Sequence, residues 1–114
     1  MATRFHITLP DASQARGNNP DLAFTAQGAD TFAEQLQQTI RSDSLFQRWR
    51  AAQDDPDEVA PSLGATDPNA TVEGRQDDLH IDLIVITSLP GDILRHRMRL
   101  LAGTGWQLRD VSAA

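Results

Sequence analysis

The sequence contains no cysteine, no lysine and no tyrosine. Without cysteine there is no disulfide framework, no thiolate zinc site and no Cys nucleophile, although the compartment stays open. The ten basic residues are therefore all arginines, set against 16 acidic ones for a formal net charge of −6. Such a balance argues against nucleic acid, whose binders combine a basic footprint with aromatic stacking platforms. Aromatic residues make up only 5% of this chain. Abundant alanine without lysine reads as the imprint of a GC-rich, bacterial genome. Long apolar runs are missing too. The longest purely aliphatic one, Leu83–Ile86, falls far short of the roughly 20 residues of a membrane span. The opening MATRFHITLP lacks the apolar stretch of a signal peptide. The expectation is a soluble, cytoplasmic protein without nucleic-acid or membrane partners.

What is present suits one domain spanning 1–114, long enough to bury a core without staples. Residues 3–9 alternate, with Phe5, Ile7 and Leu9 facing one way and Arg4, His6 and Thr8 the other, which predicts a half-buried strand. Residues 22–27 show the same alternation at Leu22, Phe24 and Ala26 and are read as a second strand, ended by Gly28. Thr31 and Glu34 have capping-box spacing, and Phe32, Leu36 and Ile40 repeat as the inward stripe of a helix. The stripe fails at Ser42-Asp43-Ser44, where the helix is expected to break before Leu45, Phe46 and Trp49. Residues 54–70 hold three prolines and five acidic residues and predict a mobile, irregular loop. Residues 71–75 and 79–87 read as a hairpin about Gln76-Asp77-Asp78, a helix as 90–102, and a last strand as 106–111 with Trp106 and Leu108 inward and a frayed end beyond.

The resulting order gives an α+β fold, a ferredoxin-like two-layer sandwich (βαββαβ) with an additional N-terminal strand at 3–9 on a sheet edge. In the strand at 79–87, Ile84 and Ile86 oppose the face that the helices should cover. Uncovered, they would form an apolar surface that calls for a homodimer or a larger protein partner.

On a helical wheel of 89–102, Asp92, Arg95, His96 and Arg99 fall on a solvated arc, while Arg97 falls among the apolar residues. Three readings of Arg97 stay open. Its stem packs on the core while its head reaches the rim; it pairs with Asp82 or Asp110 inside the core; or it awaits an anionic ligand or a partner chain. Elsewhere, His80 and Asp82 share a strand face that His6 could join, a set able to hold a metal or orient a base, though an exposed polar sheet face gives the same pattern. The acids Asp54, Asp55, Asp57 and Glu58 lack calcium-loop spacing and read as a solvated loop. No cofactor or metal is expected.

The stretch VITSLPGDILRHRMRLLAGTGWQLRDV, at 85–111, resembles the strand–helix–strand half of an ACT domain. The matching positions are Val85, Ile86, Pro90, Gly91, Leu94, Leu100, Leu101, Gly105, Leu108, Asp110 and Val111. The resemblance implies a small-molecule regulatory site, for an amino acid or an anion, lined by Leu89, Pro90, Gly91 and Asp92 at a dimer interface. The functional expectation is a non-enzymatic interaction or regulatory domain, with an ACT-like sensor, a small enzyme or an acidic secretion-chaperone-like protein as alternatives.

Overall fold

A computed structural model describes residues 2–114. Four strands, β1 (Thr3–Leu9), β2 (Thr71–Asp77), β3 (His80–Thr87) and β4 (Gln107–Ala113), form one antiparallel sheet in the order β2-β3-β1-β4. Three helices, α1 (Ala29–Arg41), α2 (Ser44–Ala51) and α3 (Gly91–Ala102), complete an α+β fold. It differs from the expected βαββαβ sandwich with an added strand. The sheet has four strands, the first connection carries two helices and three 3-10 turns, and β1 lies inside the sheet between β3 and β4.

The correction comes from 22–27. Leu22, Phe24 and Ala26 are buried as their alternation requires, but the segment joins no ladder. Its backbone groups are met by side chains and by a helix end. Phe24 N–H donates to the Leu101 carbonyl at 2.9 Å. The Arg16 guanidinium takes the Phe24 carbonyl at 2.8 Å and the Ala26 carbonyl at 2.5 Å. Gln35 Oε1 accepts from the amides of Thr25 and Ala26. With every one of these groups satisfied, an extended segment needs no neighbouring strand.

Period two is realised in full along β3, where Ile81, Leu83, Val85 and Thr87 are buried and His80, Asp82, Ile84 and Ile86 are half-buried. Its register with β1 sets Phe5 opposite Val85, Ile7 opposite Leu83 and Leu9 opposite Ile81. These side chains meet Phe32, Leu36 and Ile40 of α1 and Ile93, Leu94, Met98 and Leu101 of α3 in one core. Each large apolar side chain buried there contributes about 1.5–3 kcal/mol. The hairpin turn is tighter than the sequence suggests. Asp78 takes a positive φ of 59° and Leu79 sits in the turn, 69% exposed, rather than in the core.

The helix break at Ser42-Asp43 is present. The start of α1 differs from expectation, with Gly28 as N-cap and Thr31 inside the first turn, its hydroxyl accepting from the Gly28 amide at 3.2 Å. The N-terminal end of α1 crosses β2 so closely that a Cβ on Gly74 would lie 2.4 Å from the Ala29 carbonyl oxygen. Helix α3 ends at Gly103, whose φ of 61° is the left-handed conformation that glycine adopts freely. The chain end does not fray, since Ala113 still pairs with Thr3 in the sheet.

Candidate functional site

Among the described residues, the helices share one core with one face of the sheet, and the other face is left uncovered. Three strands present Arg4, His6 and Thr8 (β1), Asp82, Ile84 and Ile86 (β3), and Glu73 and Arg75 (β2) on that face, as the register requires. The two isoleucines stand at the Thr3 end, opposite His6 and Arg4. They are half-buried by these longer neighbours, so the apolar patch is small and rimmed by charge.

At the other end of the face lies a groove of about 480 Å³ lined by His6, Thr8, Pro10, His80, Asp82 and Arg109. The Asp82 carboxylate is its centre. Oδ1 accepts from the Thr8 hydroxyl at 2.7 Å and lies 3.1 Å from His6 Nε2; Oδ2 lies 3.4 Å from His80 Nε2. Burial alone would raise the proton affinity of Asp82, but the Thr8 and His6 hydrogen bonds and the two imidazoles outweigh it, holding the carboxyl below the ordinary range. The sequence had grouped His6, His80 and Asp82, and the fold brings all three together. Thr8 was readable as a partner because it shares the face of His6. Arg109 was not, because a register shift in the β1–β4 pairing places it. Among the described residues no group of three acidic or imidazole side chains is arranged to hold a metal ion, and no helix is long and apolar enough to cross a membrane.

Arg97 is far from such solvent access, at 1% exposure. Its guanidinium donates to the Thr39 carbonyl at 2.9 Å, to the Leu63 carbonyl at 3.0 Å and to the Ala65 carbonyl. It neither reaches the rim nor pairs with Asp82 or Asp110, and it offers no face to a ligand; it ties α3 to the end of α1 and to the loop. Burial lowers its proton affinity, partly offset by Asp43. The loop itself is anchored as well as tied. The buried Asp67 carboxylate accepts the Thr87 hydroxyl at 2.8 Å and the Ser88 amide at 2.9 Å through Oδ2, and the Asn69 amide at 3.1 Å through Oδ1. Two 3-10 turns, Pro56–Glu58 and Pro61–Gly64, shape the rest. Asp54, Asp55, Asp57 and Glu58 remain exposed, with Asp57 3.4 Å from Arg50.

The turn at Leu89–Asp92 is thus held by Asp67 from below. Leu89 is buried in the core, Pro90 caps α3, Gly91 packs near the Phe5 ring, and Asp92 is exposed in the first turn. His96, placed by its wheel position in solvent, is instead half-buried and meets Trp49 edge-on at 4.5 Å. A wider groove, about 890 Å³, opens at the start of α1 between Thr25, Glu34, Gln35, Gly74 and Gln76. Nothing in the sequence pointed to it, and its charged lining is acidic.

Comparison with protein-family models, with curated proteins and with solved structures returns no match to this chain.

Proposed function

We propose that the domain is a non-enzymatic interaction module that pairs with a second copy of itself through the uncovered sheet face. The observation that carries this reading is the half-buried pair Ile84 and Ile86 on a face that no helix covers. Apolar residues ringed by polar ones are the anatomy of an association surface. Charge favours a second copy as the occupant. On this face Arg4, Arg75 and Arg109 stand against Glu73, Asp77, Asp82 and Asp110, so its formal charges nearly cancel. The whole chain carries −6, so nearly all the excess negative charge lies elsewhere. Two copies meeting by their helical faces repel each other, whereas two open faces present both signs, as a self-complementary two-fold contact requires. The strand order further supports reading the fold as a split βαβ variant, its first crossover doubled by α2, whose free face can stack on another sheet about 10 Å away.

Sedimentation equilibrium at micromolar concentration tests the proposal. The expected result is a dimer that Ile84→Asp or Ile86→Asp converts to a monomer with little change in melting temperature. A wild-type chain that stays monomeric across that range overturns it and leaves a larger protein as the alternative occupant.

A further inference from the structure

The groove at the Pro10 end of the open face holds chemistry that the isoleucine patch does not use. An ionised carboxylate only accepts hydrogen bonds, so His6 meets Asp82 Oδ1 through an N–H at Nε2, while the His80 ring stands with Nε2 3.4 Å from Oδ2. The first contact assigns the tautomer of His6 and leaves its Nδ1 as the proton acceptor. The side chains of His6 and His80 are 36% and 38% exposed, so both rings reach solvent.

Arg109 supplies the other half of the site. In the β1–β4 pairing, Asp110 stands opposite His6 and Leu108 opposite Ile7, which makes Arg109 the extra residue of a bulge. A bulge re-aims the side chain it carries, and here the re-aimed side chain lines the groove with the two histidines. Among the described residues, the Arg109 guanidinium has no ion pair.

We propose that this groove binds a small oxyanion and takes up protons in doing so, with the anion held between the Arg109 guanidinium and the protonated imidazoles of His6 and His80. The groups around the site set the coupling. Across the neighbouring strands Asp110 faces His6, Arg75 faces Asp82 and Asp77 faces His80. With neutral imidazoles, Arg75 and Arg109 are outnumbered by Asp77, Asp82 and Asp110, and an anion is disfavoured. Protonation of both rings reverses the sign. Asp82 stays ionised between the two imidazolium groups and holds them in place, so the added charge is not lost by rotation of the rings. The site adjoins the isoleucine patch, His6 standing opposite Ile84, and its residues all come from one copy of the chain.

The test uses the full chain and two probes, sulfate and acetate, each titrated against chloride at constant ionic strength. Sulfate keeps its charge between about pH 5.5 and about pH 7.5, so a change in affinity across that range belongs to the histidines. The expected result is saturable movement of the His6 and His80 ring resonances at the lower pH, with binding weakened at least about tenfold at the higher. Arg109→Gln abolishes the movement, and His6→Gln, which keeps a donor for Asp82, flattens the pH dependence. Saturation by acetate as well as sulfate assigns the shared carboxylate and phosphate-like chemistry; saturation by sulfate alone restricts the site to tetrahedral anions. Absence of a saturable shift at the lower pH, equal affinity at both, or unchanged binding by Arg109→Gln overturns the proposal. Because the wild-type pH comparison stands alone, the outcome does not hang on any variant folding.

Discussion

Arg97 Nη1 donates to the Thr39 carbonyl at 2.9 Å, and among the described residues no carboxylate pairs with this buried guanidinium. The planar, many-donor head of arginine suits the task, since it also serves the carbonyls of Leu63 and Ala65. Replacing it with methionine fills the volume but leaves three carbonyls without their donor. Each unsatisfied buried group costs about 1–3 kcal/mol. Arg97→Met is therefore expected to lose about 3 kcal/mol, seen as a fall of about 10 °C in melting temperature. Arg97→Lys, with a compact head, recovers only part. Calorimetry checks both, and a methionine variant as stable as the wild type would show that the carbonyls find other donors.

Asp67 performs the matching task from the loop, and its role carries a pH signature. Its carboxyl is held below the ordinary 3.8 chiefly by the Ser88 amide, with burial opposing and the Thr87 and Asn69 bonds reinforcing. A depressed folded pKa means that the unfolded chain binds the proton first. The stabilisation is complete above 3.8 and disappears as the pH falls through the folded value. Asp67→Asn is expected to cost about 1–2 kcal/mol at neutral pH. The gap between variant and wild type then closes on acidification, while Asp82, also depressed, keeps a residual slope in both. Urea denaturation at a series of pH values from neutral to strongly acidic measures this. A gap that stays constant into acid contradicts the assignment of charge to these bonds.

Where the sequence could be read and where it could not follows from what each signal reports. The alternation at Thr3–Leu9 and His80–Thr87 reports burial on one side, and both strands lie where it places them, with Ile84 and Ile86 on the uncovered face. At Leu22–Ala26 the same signal is equally true of burial, yet no strand forms. Alternation carries no information about which group supplies the hydrogen bond, and there Arg16 and Gln35 supply it. The 54–70 loop looked free for the same reason, since Arg97 and the Asp67–Thr87 bond anchor it through contacts distant in sequence. In the groove, His6 and Asp82 were legible from shared faces, whereas Arg109 depends on a bulge that no periodicity encodes.

His96 gives the last expectation, because the wheel placed it in water and the fold places it against Trp49, with ring centroids 4.5 Å apart. Burial lowers its proton affinity below the ordinary 6.5, and Arg99 and then Arg97 add repulsion. The neutral ring is the form that packs, so its contribution is full above 6.5 and is lost as the pH falls through the lower folded value. His96→Phe keeps an aromatic edge for Trp49 and cannot titrate. In a Trp106→Phe background, Trp49 is the only indole. Its emission should fall on mild acidification as an imidazolium forms beside it, and the His96→Phe change should remove that fall along with the matching part of the stability loss. An acid-induced change of equal size in the His96→Phe protein would place the titrating group elsewhere.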